Sequence, residues 1–160
     1  MIDRSDTTLA KVKIHPAVVV IGFLLTGIAT SNIWKLNMES GSLLIFGRYG
    51  GALISAIGIG MLIIAYGSMA RAATTINPSE HTTKIVKSGI YAYSRNPIYL
   101  GWFLVMAGSG VIGFSLSILI LSLLMISLLY WAVVLEEEKY LENEFGEDYL
   151  SYKKNVRRWL

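Results

Sequence analysis

No cysteine occurs among the 160 residues, which excludes disulfides, thiolate metal sites, cysteine nucleophiles and prenylation or palmitoylation of this chain. Charge is scarce as well. Only 16% of residues are charged against 54% hydrophobic, and the mean hydropathy is +0.54, too apolar for an ordinary soluble domain of this size. A membrane protein is expected. Histidine is limited to His15, next to Pro16 at an expected helix start, and His81, which has no second histidine or cysteine nearby, so no metal site is expected. The start MIDRSDTTLAKVKI mixes acids and bases and lacks a short apolar core with a small-residue cleavage site, so insertion by the chain's own helices is expected.

What the chain has instead is long uncharged runs. Ile14 to Trp34 supply the first, with Ala17 to Thr30 strongly apolar, enough for one crossing, expected at 14–36. Residues 49–70 supply the second, in which Gly51, Ser55, Gly58 and Gly60 would let another helix approach closely. Between Asn96 and Leu135 nothing is charged, and about 60 Å of helix is twice the hydrocarbon thickness of roughly 30 Å, so two crossings share it. The glycines Gly108, Gly110 and Gly113, with Ser115, are expected to mark the turn between helices at 97–112 and 114–135. Those three glycines also spell G-x-G-x-x-G, but no strand precedes them and no acid follows about 20 residues on, so dinucleotide binding is not expected.

Lysine and arginine set the orientation. The N-terminal arm carries Arg4, Lys11 and Lys13, the central loop Arg71, Lys84, Lys87 and Arg95, and the tail Lys139, Lys153, Lys154, Arg157 and Arg158. Four crossings place all three segments on one side, which the positive-inside tendency makes cytoplasmic. The other side receives Glu39, flanked by Lys35 and Arg48, and a tight turn near residue 112. The expected architecture is therefore a single all-α integral membrane domain over 1–160, with four transmembrane helices, both termini cytoplasmic and a helical tail at 136–160. Trp34, Trp131 and Trp159 would anchor at the boundaries, and Arg48 and Arg71 would snorkel at the ends of the second helix. The net charge of +3 is mostly a topology signal and calls for no nucleic-acid partner.

Two stretches exceed what this architecture needs. In SGIYAYSRNPIYLGWF, Asn96 is a favoured cap and Pro97 a favoured first helical residue, while Tyr91, Tyr93, Tyr99 and Trp102 suit an aromatic belt. In EEEKYLENEFGEDYLSYKKNVRRWL, seven acids lie between Glu136 and Asp148 and four bases follow from Lys153 to Arg158. Leu141, Phe145, Tyr149 and Tyr152 recur at helical spacing and are expected to form one apolar face packed on the membrane domain. A solvated extension ending in a lipid-touching basic segment is the plainer reading of the tail alone.

GIYAYSRNPIYLGWF resembles the signature of the isoprenylcysteine carboxyl methyltransferases and their prokaryotic relatives, in which G-x-Y-x-[WY]-x-R-[HN]-P-x-Y-x-G opens a membrane helix. The tail resembles the same family's second block, E-E-x-x-L followed by F-G-x-x-Y-x-x-Y and a final valine with a basic residue. Both stand in the family's order, and the resemblance runs from Ile76 to Leu160. It implies an integral membrane enzyme of the prokaryotic inner membrane that transfers a methyl group from S-adenosylmethionine to a lipophilic acceptor, a carboxylate, thiol or amine arriving from the bilayer. The implied cofactor-binding residues are Gly89, Tyr91, Tyr93, Arg95, Asn96, Pro97, Tyr99, Leu100, Glu137, Glu138, Tyr149 and Tyr152. Glu138 and Arg158 are the implied catalytic pair.

Two positions depart from the pattern. Asn96 stands where the eukaryotic enzymes have histidine and cannot act as a base near neutral pH. Arg157 stands where proline often follows the valine, and Arg158 is favoured over it for the arginine role. An anionic acceptor needs no base; an amine would make Glu137 or Glu138 the proton acceptor. The alternative function is a small four-helix membrane protein without chemistry, such as a transporter subunit, which should place ionisable residues within its spans. A nicotinamide-dependent sterol reductase relative is the third reading, disfavoured by the short chain.

Overall fold

The computed structural model describes residues 14–36, 41–72 and 84–160. Arg4, Lys11, Lys13, Glu39 and His81 lie outside the described residues. Six α-helices carry the described chain: α1 (Pro16–Thr30), α2 (Ser42–Arg71), α3 (Pro97–Ile112), α4 (Leu116–Leu129), α5 (Leu135–Phe145) and α6 (Glu147–Asn155). A 3-10 turn, Gly89–Ala92, leads into α3, and a π-helical turn, Tyr130–Val134, joins α4 to α5 without a break. The apolar helices pack in the order α2, α3, α4, α1.

Two helical runs are long and apolar enough to cross a membrane, Ser42–Arg71 and Leu116–Phe145; Pro16–Thr30 and Pro97–Ile112 are apolar but shorter. Their outward surfaces are apolar too, with Val18, Leu25, Ile28, Leu53, Ile63 and Leu123 all more than half exposed. Serines, Asn96 and Glu138 are buried instead. Such continuous apolar cover is unstable in water and suits lipid.

Local chemistry explains the boundaries. The His15 ring accepts a hydrogen bond from the Ala17 amide at 3.3 Å and Pro16 opens α1. The helix ends at Thr30 rather than near residue 36. There, Ser117 and Ser115 of the α4 start donate their hydroxyls to the Thr30 and Ser31 carbonyls at 2.8 and 2.9 Å, satisfying acceptors that a helix end leaves orphaned. α2 begins at Ser42, seven residues before the expected start, because arginine is a good helix former and Arg48 does not stop it. Arg48 is an exposed residue within α2, not its flank. α3 spans the expected 97–112.

The glycines are divided differently from expectation. Only Gly113 lies at the α3–α4 turn, at an ordinary φ of −84°, and the left-handed residue there is Phe114 at φ 49°. Gly108 and Gly110 are inside α3. A Cβ on Gly108 would meet Ser55 and come within 2.6 Å of the Gly51 carbonyl, and one on Gly58 would come within 2.7 Å of the Gly101 carbonyl. Gly51, Gly58, Gly101 and Gly108 are thus where the α2 and α3 backbones touch. Gly60, grouped with them by sequence, has no neighbour on that side.

The tail corrects a further expectation. Gly146, at φ 52°, ends α5, so Leu141 and Phe145 belong to α5 while the buried Tyr149 and Tyr152 belong to α6. A left-handed conformation at a helix end is what glycine permits.

Candidate active site

The start of α3 and the tail meet at one carboxylate. Glu138, 4% exposed, takes a bidentate pair from Arg158, with Nε to Oε1 at 2.7 Å and Nη2 to Oε2 at 3.0 Å. Arg95 Nη1 reaches Glu138 Oε1 at 3.0 Å, and Lys153 lies 3.7 Å from Oε2. Desolvation acts to raise the Glu138 carboxyl, but the hydrogen bonds from Arg158 and the charges of Arg95, Arg158 and Lys153 outweigh it and hold it below its ordinary value. The Arg158 guanidinium is in turn held above its ordinary value, first by its hydrogen bonds to Glu138.

Each partner is positioned by a second contact. Arg95 donates from Nη1 to the Tyr149 hydroxyl at 3.3 Å, and its backbone amide donates to the Arg157 carbonyl at 3.0 Å. Burial pushes the Tyr149 phenol up to about 12, against the opposing hydrogen bond from Arg95. Arg158 donates from Nη1 to the Tyr130 hydroxyl at 3.2 Å and lies over that ring, 5.1 Å from its centroid. Lys153 also pairs with Glu142. The Tyr152 hydroxyl donates to the Tyr91 carbonyl at 2.7 Å, tying α6 to the 3-10 turn. Burial raises both phenols above their ordinary range.

Glu137 faces a different environment. Its Oε1 accepts from the Tyr99 hydroxyl at 2.7 Å, and no cation is paired with it among the described residues. Desolvation pushes its carboxyl up to about 7, with the Tyr99 hydrogen bond opposing and the Glu138 charge adding.

Asn96 is a correction. It stands at the cap of α3, but its side chain makes no capping bond; Nδ2 donates to the Arg158 carbonyl at 3.3 Å, beside the Ser94 hydroxyl, which donates to the same oxygen at 3.3 Å. The residue fastens the C-terminal segment to the α3 start, which needs an amide and no base.

The structure thus gathers Arg95, Asn96, Glu138, Tyr149 and Arg158 around one ion-pair cluster, with Tyr99–Glu137 and Tyr91–Tyr152 as neighbouring pairs. Others stand apart. Tyr93 is 73% exposed. Gly89, at φ 66°, lies against Ser68 of α2, where a Cβ would come within 2.9 Å of the hydroxyl. Pro97 is buried as the first helical residue, and the half-buried Leu100 gives its amide to the Asn96 carbonyl. Arg157 is exposed, contributing only its carbonyl.

Tyr130 and Lys153 were missed from sequence. The signal for Lys153 was its place one turn beyond Tyr149. Tyr130 had none, because it lies eight residues before Glu138 and would sit about 80° off that face in a regular helix. The π-helical turn inserts the extra residue that brings both onto Arg158.

The phospholipid methyltransferase family matches residues 46–148, well over half of the chain. A protein-S-isoprenylcysteine O-methyltransferase of Xenopus laevis is 28% identical over 110 residues, covering 61% of this chain and 38% of the relative. That of Homo sapiens is 32% identical over 108 residues with the same coverage, and that of Schizosaccharomyces pombe 37% over 76 residues, covering 45% and 30%. The chain spans between 30% and 38% of the length of these curated relatives. No solved structure matches it significantly. With its apolar helices and a family match that spans α2, α3 and α4, the chain belongs to the phospholipid methyltransferase family of membrane methyltransferases.

Proposed function

We propose that this chain transfers a methyl group from S-adenosylmethionine to a lipophilic acceptor at the cytoplasmic membrane face. The observation that carries the reading is the convergence of Arg95, from the α3 start, with Arg158 on the buried Glu138. The family match disfavours the transporter-subunit alternative. Four crossings with both termini cytoplasmic, in a prokaryotic inner membrane, accord with the four apolar helices and with basic residues gathered at the tail end.

The residues present fit the cofactor. Arg95 Nε is a buried donor with no hydrogen-bond partner, although Nη1 is paired with Glu138 and Tyr149 and the side chain is only 7% exposed. An orphaned buried donor costs about 1–3 kcal/mol, so a ligand acceptor there would relieve it. The cofactor's carboxylate suits Arg95, its amino and ribose hydroxyl groups suit Glu137 and Glu138, and its sulfonium suits the faces of Tyr91, Tyr99, Tyr149 and Tyr152. When bound, it supplies an electrophilic methyl group. The chain's own task is to hold the acceptor in line and keep water out. Acceptors carrying a carboxylate, thiol or amine on an apolar tail are the class to test, entering from lipid.

Isothermal titration of the purified protein in a detergent that preserves its helicity is expected to give a micromolar dissociation constant for S-adenosylmethionine or S-adenosylhomocysteine, about −8 kcal/mol. Arg95→Ala should weaken binding at least tenfold while Arg157→Ala leaves it unchanged. No heat with either ligand for the helical wild-type protein overturns the reading.

A further inference from the structure

Glu137 and Glu138 are adjacent in sequence but differ in what holds them. Glu138 is neutralised by Arg95, Arg158 and Lys153, which commits the cluster's two arginines to it. Glu137 has one phenol, that of Tyr99, on Oε1. It is half-buried, and no protein group is hydrogen-bonded to Oε2 among the described residues. The groups facing it are Tyr99 from α3, Tyr91 from the 3-10 turn and Glu138 from its own helix; Tyr66 of α2 acts on Tyr91 in turn. None of these is a cation. Such a carboxyl keeps one oxygen fixed and the other available to a polar hydrogen.

We propose that Glu137 accepts the acceptor's proton, so that the acceptor is a nucleophile that still carries one, an amine or a thiol on a lipophilic tail, rather than a carboxylate. The proposal rests on the methyl-transfer reading above. The N–H or S–H bond breaks with its electron pair left on nitrogen or sulfur, and the proton goes to Glu137. The new bond to carbon takes the methyl group from the sulfonium donor, whose S–C electron pair stays on the donor sulfur. Glu137 then releases its proton to cytosolic water through its exposed side. A carboxylate acceptor would have no proton to give and would meet an acidic group. The charge environment agrees: desolvation pushes the Glu137 carboxyl up to about 7, where a proton acceptor operates best near neutrality. Tyr99 opposes that rise and is the positioning residue.

Two readouts test this, one of them independent of turnover. Infrared titration of the protein without ligands should show a protonated-carboxyl band that disappears near pH 7 and is missing in Glu137→Gln. In vesicles with S-adenosylmethionine, an alkyl amine, an alkyl thiol and a fatty acid of equal chain length are offered. Methylation of the amine or thiol is expected, with kcat/KM rising with pH through about 7. Glu137→Gln should lower it by about 10²–10⁴-fold and remove that limb. Tyr99→Phe should move the limb to higher pH, which also serves should Glu137→Gln fail to fold. Methylation of the fatty acid alone, or an unchanged pH limb in both variants, overturns the proposal. Loss of cofactor binding in the wild-type protein would instead sink the methyl-transfer reading.

Discussion

Glu138→Ala is expected to cost roughly 3–5 kcal/mol of stability, the range for breaking a buried ion pair by removing one partner, and to abolish cofactor binding. The substitution leaves the guanidinium groups of Arg95 and Arg158 facing one another without the carboxylate that both contact, in a site where Arg95 is only 7% exposed. It also loosens Tyr149 and the Arg157 carbonyl, since Arg95, which Glu138 holds, is what contacts them. The pH dependence has a definite sign. Because the folded-state carboxyl lies below its ordinary value of 4.5, its stabilisation is present above that value and is lost as pH falls through the lower folded value. Thermal unfolding in detergent should therefore show wild-type protein weakening below about pH 4.5, with that increment missing in Glu138→Ala. Lys139→Ala is the control: it removes the exposed pair with Glu136 and should change stability by less than about 1 kcal/mol. Equal effects of the two substitutions would show that Glu138 does not organise the site.

How far this was legible in sequence differs by level. The bounds of α3 were read correctly because Asn96 and Pro97 mark its start through backbone geometry alone. The end of the membrane run near Leu135 was legible from charge, but charge does not end a helix; α4 passes through the π-helical turn into α5, and only Gly146 stops it. Glycine was ambiguous, since a missing Cβ serves a turn and a close approach equally well. Gly108 and Gly110 were assigned to the first use and have the second. The meeting of the α3 start with the tail came from resemblance, as no periodicity links residues 40 positions apart. Which carboxylate faces which arginine was not legible at all. It depends on the one-residue shift at Tyr130–Val134, a property of packing rather than of any local propensity.

Gly108→Val is expected to destabilise the protein by about 1–3 kcal/mol or more, the usual cost of forcing extra atoms into a packed contact. The upper end is favoured because two obstacles to the new Cβ are backbone atoms, the Gly51 carbonyl at 2.6 Å and the Ser55 amide nitrogen at 2.7 Å, which cannot swing aside as a side chain can. α2 and α3 would have to separate or slide. The far end of the same pair carries the site: Ser68 of α2 lies against Gly89, and α3 begins beside Arg95. A shift made near Gly108 is therefore expected to reach the proposed cofactor site, more than two helical turns away, and to weaken S-adenosylhomocysteine binding together with stability. Gly60→Val separates packing from composition, since it adds the same side chain to α2 where no atom stands within 4 Å. It should leave binding unchanged and stability equal or slightly higher, because glycine is the poorer helix former by a few tenths of a kcal/mol. Thermal unfolding and titration calorimetry on both variants decide the matter: comparable losses in the two would mean that the α2–α3 contact does not hold the site in register.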